Sequence, residues 1–334
     1  MGLLVDGRWQ DRWYDTKRSG GRFVREDAKF RNWITPDGTK APAGEAFPAA
    51  PDRYHLFVSY ACPWAHRTLI FRKLKGLESH IGLSVVHPFM GDQGWTFAPG
   101  KGVVDDPVLG ASHLHQLYTK AAPNFTGRVT VPLLWDRQTD RVVSNESSEI
   151  IRMFNSAFDE LGATPGDFYP EGLRAEIDSV NERIYRTINN GVYRCGFATT
   201  QGAYEEALAE LFDSLDWLEE RLATRRYLVG DRITEADWRL FTTLVRFDPV
   251  YVGHFKTNLR RLVDYPNLWA YTRELYQVPG VSDTVHLGHI KDHYYRSHGT
   301  INPTGIVPAG PIVDFNQPHG RDALGPAGLP VAAA

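Results

Sequence analysis

Residues 60–67 read Tyr60-Ala-Cys-Pro-Trp-Ala-His-Arg67, and they set a cysteine where a strand gives way to a helix. Just upstream, His55 to Ser59 (HLFVS) is an apolar run of strand length. Just downstream, Trp64, Thr68, Leu69 and Phe71 recur at helical spacing over 64–75. Pro63 suits the first helical position, because the N–H it lacks would have had no intrahelical partner. A thiol at that point faces unpaired amide N–H groups and the positive end of the helix macrodipole, both of which favour thiolate. A buried structural cysteine is the bland alternative, since free cysteine is among the most buried residues. The position at the turn weighs against it.

Working outward, Leu83 to His87 (LSVVH) forms a second strand, parallel to the first if the helix is a crossover. Phe89 to Pro107 is a Gly/Asp/Pro-rich loop, and Ser112 to Ala122 has weak helical character. Val129 to Trp135 (VTVPLLW) and Arg141 to Ser144 (RVVS) flank the polar turn Asp136 to Asp140 as a hairpin, and Glu146 to Phe158 is an amphipathic helix. Strand, helix, strand, helix, strand, strand, helix in one mixed sheet is the order of a thioredoxin-like domain.

Beyond about residue 162 only helical stripes remain: Leu173, Ile177, Val180, Ile184 and Ile188 on one, Leu208, Leu211, Phe212, Leu215, Leu218 and Leu222 on another. Thr234-Glu-Ala-Asp237 reads as a variant capping box ahead of a further apolar run, and Pro266 opens another helix. The expected fold is therefore α/β plus all-α. It has an irregular arm over 1–52, a thioredoxin-like domain over 53–162, a helical domain over 163–297 and an extended tail without helices over 298–334.

Composition narrows the function classes. A length of 334 residues with 42% hydrophobic content allows two cores. The net charge of -3 offers no basic surface for phosphates, so nucleic acid is a poor partner and small molecules are better ones. No apolar run approaches the roughly 20 residues of a membrane helix, and the start lacks an apolar signal segment; the expected location is the cytoplasm, with no membrane partner. Two cysteines, Cys62 and Cys195, are too few for a disulfide framework, and the 12 histidines show no metal-ligand spacing, so no metal is expected.

Ala65 stands where a dithiol enzyme has its second cysteine, which makes Cys62 a monothiol site. A mixed disulfide on it must be opened by an external thiol, and glutathione is the abundant cytosolic one. Cys195, in the helical half, reads as a packed core residue. Val131-Pro132 heads a strand; a cis bond there would present the Val131 backbone to an extended peptide, although a trans proline is the commoner case. Ser144-Asn-Glu-Ser-Ser148 gathers hydroxyls and N–H groups at a helix N-terminus, where carboxylates bind, with Glu146 beside them to hold an ammonium group. Ordinary capping by Ser144 or Asn145 explains the serines equally well.

Together these motifs resemble a glutathione transferase. More narrowly, Ser59-Tyr-Ala-Cys-Pro-Trp-Ala-His-Arg67, Gly94-Trp95 and His293-Tyr-Tyr-Arg-Ser-His298 followed by Ile301-Asn-Pro-Thr resemble the xi class, the glutathionyl-hydroquinone reductases, over nearly the whole chain. That resemblance implies a homodimer and a thioredoxin-like domain followed by a glutathione-transferase-type helical bundle. It implies Cys62 as nucleophile, glutathione held by Trp95, by Arg128, Val129, Thr130 and Val131, and by Glu146 and Ser147, and Tyr193 as proton donor. Tyr251 and Tyr294 then donate hydrogen bonds to the thiolate, with Tyr295 a neighbour that competes for the second role. The implied substrates are S-glutathionyl hydroquinones, with glutathione as co-substrate. The readings set against this are an omega-like thiol transferase or dehydroascorbate reductase, and a non-catalytic interaction protein of the same fold. Without the resemblance, three tyrosines on helices would read as core residues.

Overall fold

The computed structural model describes residues 2–329, which divide by contacts into two units. Among these residues the first comprises 2–13, 26–165 and 284–299; the second comprises 14–25, 166–283 and 300–329.

In the first unit, strands β1 (Leu3–Val5), β2 (Arg8–Gln10), β3 (Trp33–Thr35) and β4 (Ala46–Pro48) lie within the expected irregular arm. The central sheet uses β5 (Tyr54–Val58), β6 (Ile81–Val85), β8 (Leu133–Asp136) and β9 (Arg141–Ser144), preceded by the short β7 (Gly127–Arg128). Helices α1 (Pro63–Leu74) and α2 (Leu114–Ala121) lie between these strands, and α3 (Ser147–Ser156) follows the last of them. The order β6-β5-β8-β9 is mixed as expected: β5 and β6 run parallel, while β8 pairs antiparallel with β5 and β9. All five residues of β5 are buried, which explains its unbroken apolar reading.

The β8–β9 hairpin closes on Asp136, whose carboxylate accepts from the Gln138 amide at 2.9 Å, the Thr139 hydroxyl at 2.6 Å and both Arg53 nitrogens. Burial pushes this carboxyl up, but those hydrogen bonds outweigh it and hold it below its usual range. Asp140 completes the turn with φ of 60°.

The arm's short strands arise because isolated three-residue segments can borrow ladders from the body. β1 pairs with β2 and with β7, so Leu3 lies opposite both Gln10 and Arg128, and β3 pairs parallel with β4. Residues 30–32 run along the outer edge of β9: the Asn32 amide donates to the Val143 carbonyl, and the Asn145 amide to the Phe30 carbonyl. This covers an edge that would otherwise offer unpaired backbone. Val129 to Pro132, expected in a strand, instead form a connection between β7 and β8, as Pro132 supplies no ladder donor.

The second unit is helical, with α4 (Arg174–Ile184), α5 (Gly191–Gly196), α6 (Gln201–Thr224), α7 (Glu235–Arg246), α8 (Val252–His254) and α9 (Pro266–Gln277). Every residue of α7 is buried. Its start is the capping box anticipated from Thr234 and Asp237, and the Asp237 carboxylate also accepts from the Leu228 amide and the Tyr271 hydroxyl. Two π-helical turns, Tyr185–Asn189 and Phe247–Tyr251, interrupt the helical runs. Among its described residues, through 329, the tail carries the 3-10 turn Arg321–Leu324 and is otherwise without helix or strand. Arg321 donates to the carbonyls of Leu222, Arg225 and Arg226, filling the acceptors left open at the end of α6. The last α-helix, α10 (Leu287–Ser297), belongs to the first unit although in sequence it lies between two segments of the second. Among the described residues no helix is long and apolar enough to cross a membrane.

Candidate active site

Cys62 is the N-cap residue of α1, with extended backbone (φ -76°, ψ 120°) and Pro63 immediately inside the helix. Its carbonyl accepts the first intrahelical bond, from His66, at 2.9 Å, and its own amide donates to the Ser59 carbonyl. The sulfur is half-buried and donates to the Val131 carbonyl at 3.4 Å. The Val131-Pro132 bond is cis, the rarer of the two cases weighed from the sequence. Cys195 is buried in α5, and burial pushes its thiol up to about 12, so it holds its proton at neutral pH.

Thr130, next to Val131, is fixed by Tyr118, whose hydroxyl donates to the Thr130 carbonyl at 2.8 Å. The same hydroxyl accepts from the Asn145 side chain at 3.2 Å, tying this loop to the start of α3. Burial raises the Tyr118 phenol and outweighs the hydrogen bonds with Thr130 and Asn145, which act in the opposite direction. The cap of α3 is Glu146, and neither Ser144 nor Asn145 takes that role. Glu146 Oε1 accepts from the Ser148 amide at 2.9 Å and its hydroxyl at 2.7 Å. Ser144 instead accepts the Glu146 amide, and Asn145 bonds the arm at Phe30. The reason is geometric: β9 runs through Ser144, so the first residue free to turn into the helix is Glu146.

Ser147 is buried and accepts from Arg67 Nη1 at 3.4 Å. Arg67 is 1% exposed and lies over the Trp64 ring at 4.6 Å, so the helix bearing Cys62 and the helix bearing Ser147 share a cation. Sequence reading quoted Arg67 in its motif without giving it a role; its i,i+3 spacing from Trp64 and i,i+4 spacing to the buried Phe71 on α1 was the available signal. Arg128 turns toward the arm and donates to the Arg12 carbonyl at 2.6 Å. Trp95 is nearly buried, stacked on His293 of α10 at 4.8 Å between ring centroids. His293 Nδ1 pairs with the Pro88 carbonyl at 2.9 Å, and neither contact was foreseen. Tyr294 follows on α10, 1% exposed against His298, while Tyr295 is 9% exposed.

Tyr193 and Tyr251 belong to the second unit, with ring centroids 6.2 Å apart. Both are buried among Phe197 and Phe255, and Tyr251 closes the π turn Phe247–Tyr251. Phe255 packs so closely over Gly196 that a Cβ there would lie 2.1 Å from its ring. Among the described residues no group of three or more His, Cys, Asp or Glu could hold a metal ion.

A monothiol at the N-cap of α1, its sulfur against the Val131 carbonyl that precedes a cis-proline, in a unit built on a mixed four-stranded sheet, in a chain whose other unit is helical, defines the class of glutathione transferases. Consistent with this, the profile described as "Glutathione S-transferase, N-terminal domain" matches residues 61–157, and that described as "Glutathione S-transferase, C-terminal domain" matches 201–274. The chain is 57% identical over 324 residues to the glutathionyl-hydroquinone reductase YqjG of Escherichia coli (strain K12), covering 96% of this chain and 99% of that one. It is 59% identical over 311 residues to the glutathionyl-hydroquinone reductase PcpF of Sphingobium chlorophenolicum, covering 93% and 96%. The glutathione-bound structure of E. coli YqjG matches with a TM-score of 0.90 at 54% identity, covering 96% and 99%. A xi class transferase from Natrialba magadii matches at 0.89 and 49% identity, covering 98% of each. The chain belongs to the xi class of glutathione transferases, the glutathionyl-hydroquinone reductases.

Proposed function

We propose that the chain removes glutathione from S-glutathionyl hydroquinones, with Cys62 as nucleophile and a second glutathione as reductant. The observation that carries this reading is the lone thiol at the N-cap of α1, beside the Val131 carbonyl and without a second cysteine at the turn. Such a sulfur captures glutathione as a disulfide and depends on an external thiol for release.

Glutathione lies along Arg128 to Val131, its cysteinyl part paired with the Val131 backbone as an added strand would be. Its γ-glutamyl head meets Ser147 and the α3 N-terminus through its carboxylate, and Glu146 Oε2 through its ammonium. Trp95 covers the peptide. The Cys62 thiolate, supported by hydrogen bonds from Tyr251 and Tyr294, attacks the glutathione sulfur. The bond from that sulfur to the ring carbon breaks, and Tyr193 protonates the carbon. The products are the Cys62–glutathione disulfide, free hydroquinone and the Tyr193 phenolate. A second glutathione returns a proton to that phenolate and, as thiolate, attacks the glutathione half of the disulfide. Oxidised glutathione leaves and the Cys62 thiolate is restored. The ring carbon is reduced and two sulfurs are oxidised, so no further redox partner is needed. A homodimer in a reducing compartment such as the cytoplasm fits this chemistry.

Intact mass spectrometry after mixing the protein with a glutathionyl hydroquinone tests the proposal. One glutathionyl adduct on Cys62, removed by added glutathione, is expected. Full turnover with no adduct on rapid quenching and full activity in Cys62→Ser would overturn it.

A further inference from the structure

Arg25, in the arm segment that packs within the second unit, lies over the face of the Tyr193 ring, its guanidinium carbon 4.9 Å from the centroid. Its Nε donates to the Asn190 side chain at 2.8 Å. Asn190 is the cap residue of α5, the six-residue helix that carries Tyr193, so the cation is moored to the same short element whose phenol it covers. Phe23 supplies the other side of the mooring, with the guanidinium 5.4 Å from its ring and its own ring against Phe197.

We infer that Arg25 is a positioning residue for Tyr193, holding its ring and stabilising the phenolate it becomes after giving up its proton. This rests on the proposed role of Tyr193 as proton donor. Arginine stacks on aromatic faces and is attracted to the neutral ring. Once the proton has moved to carbon, the same contact is an ion pair in a buried aromatic surround, where an opposite charge at this range favours the ionised form. Arg25 therefore stabilises the state that follows proton transfer more than the one before it, which is what accelerates a step. Tyr251 packs against Tyr193 with ring centroids 6.2 Å apart, and Arg194 and Cys195 follow it on α5. Arg194 is paired with Glu206 and Glu210 of α6, and Cys195 is held neutral. The inference assigns the arm a chemical role: it brings a charge to a helix more than 160 residues further along the chain.

The test is single-turnover release of hydroquinone, followed against pH, in the full chain and in Arg25→Met, Arg25→Lys, Tyr193→Phe and the double variant Arg25→Met/Tyr193→Phe. Arg25→Met should slow release at pH 7 by about fivefold and move the alkaline limb of the profile up by about one unit. Arg25→Lys should recover most of the rate, and the glutathione step measured on the preformed Cys62 disulfide should change less than release does. On the Tyr193→Phe background Arg25→Met should add nothing. If Tyr193→Phe is slow but Arg25→Met leaves rate and profile unchanged, or acts equally with and without the phenol, the inference about Arg25 fails and the donor role stands. If Tyr193→Phe releases hydroquinone normally, both fail. Asn190→Ala, which loosens the mooring while keeping the charge, should fall between the full chain and Arg25→Met; it decides the matter should Arg25→Met not fold.

Discussion

The sulfur of Cys62 lies 3.4 Å from the carbonyl oxygen of Val131, the residue joined to Pro132 by a cis bond. In that contact the thiol donates and the carbonyl accepts, which favours the neutral sulfur; the amides at the start of α1 favour the ionised one. Ionisation therefore exchanges a bond to a carbonyl for the field of a helix end. Serine at position 62 keeps the donor and the cap but forms no disulfide. Cys62→Ser should leave the fold intact by circular dichroism and lower hydroquinone release by about 10³-fold or more, measured in single turnover.

The two thiols should separate cleanly by reactivity. Cys195 is buried and its thiol is pushed up to about 12, so near pH 8 almost none of it is thiolate, the form that reacts. Iodoacetamide under native conditions should label Cys62 and spare Cys195, read by peptide mass mapping. Comparable labelling of both would mean that α5 opens readily.

Acid should weaken the fold through His55. Burial lowers this imidazole to about 4, and its Nε2 is engaged with the Ser84 hydroxyl at 2.8 Å. Above the unfolded value of about 6.5 its contribution is complete. As pH falls from there toward 4, the unfolded chain takes up a proton that the folded chain excludes, and stability declines by up to about 3 kcal/mol. Urea midpoints at pH 7 and pH 4.5 check this, and His55→Gln should remove that part of the slope.

Asp237 is the stability determinant we expect to be least replaceable in the helical unit. It is fully buried and accepts from the Thr234 amide and hydroxyl, the Leu228 amide and the Tyr271 hydroxyl. Asp237→Ala leaves those donors without an acceptor, at a cost of about 3 kcal/mol or more. Asp237→Asn, which keeps one oxygen, should lose less; equilibrium unfolding in urea compares them.

The sheet and the helical stripes were legible because their periods are local: β5, α1 and α3 fall within a residue or two of the reading from the sequence. Cys62 was legible for the same reason, since Pro63 and the strand before it fix a turn. What escaped were contacts made over long sequence distances. Arg67 on Ser147, His293 on Trp95 and Arg25 on Tyr193 are side-chain meetings that no periodicity encodes. The strands of the arm escaped because each has only three residues and takes its ladder from a distant partner. The cap of α3 falls one or two residues beyond the alternatives Asn145 and Ser144, which are better cappers in general, because β9 runs through Ser144.

The chain passes back and forth between its two units at 13/14, 25/26, 165/166, 283/284 and 299/300. A gene fragment ending at the conventional joint near residue 165 would thus forfeit α10, with its stacking support for Trp95, while the complementary fragment would start without residues 14–25. Neither piece is a self-sufficient module, so a minimal version of this enzyme cannot be had by cutting once; it would take a rewired order of segments.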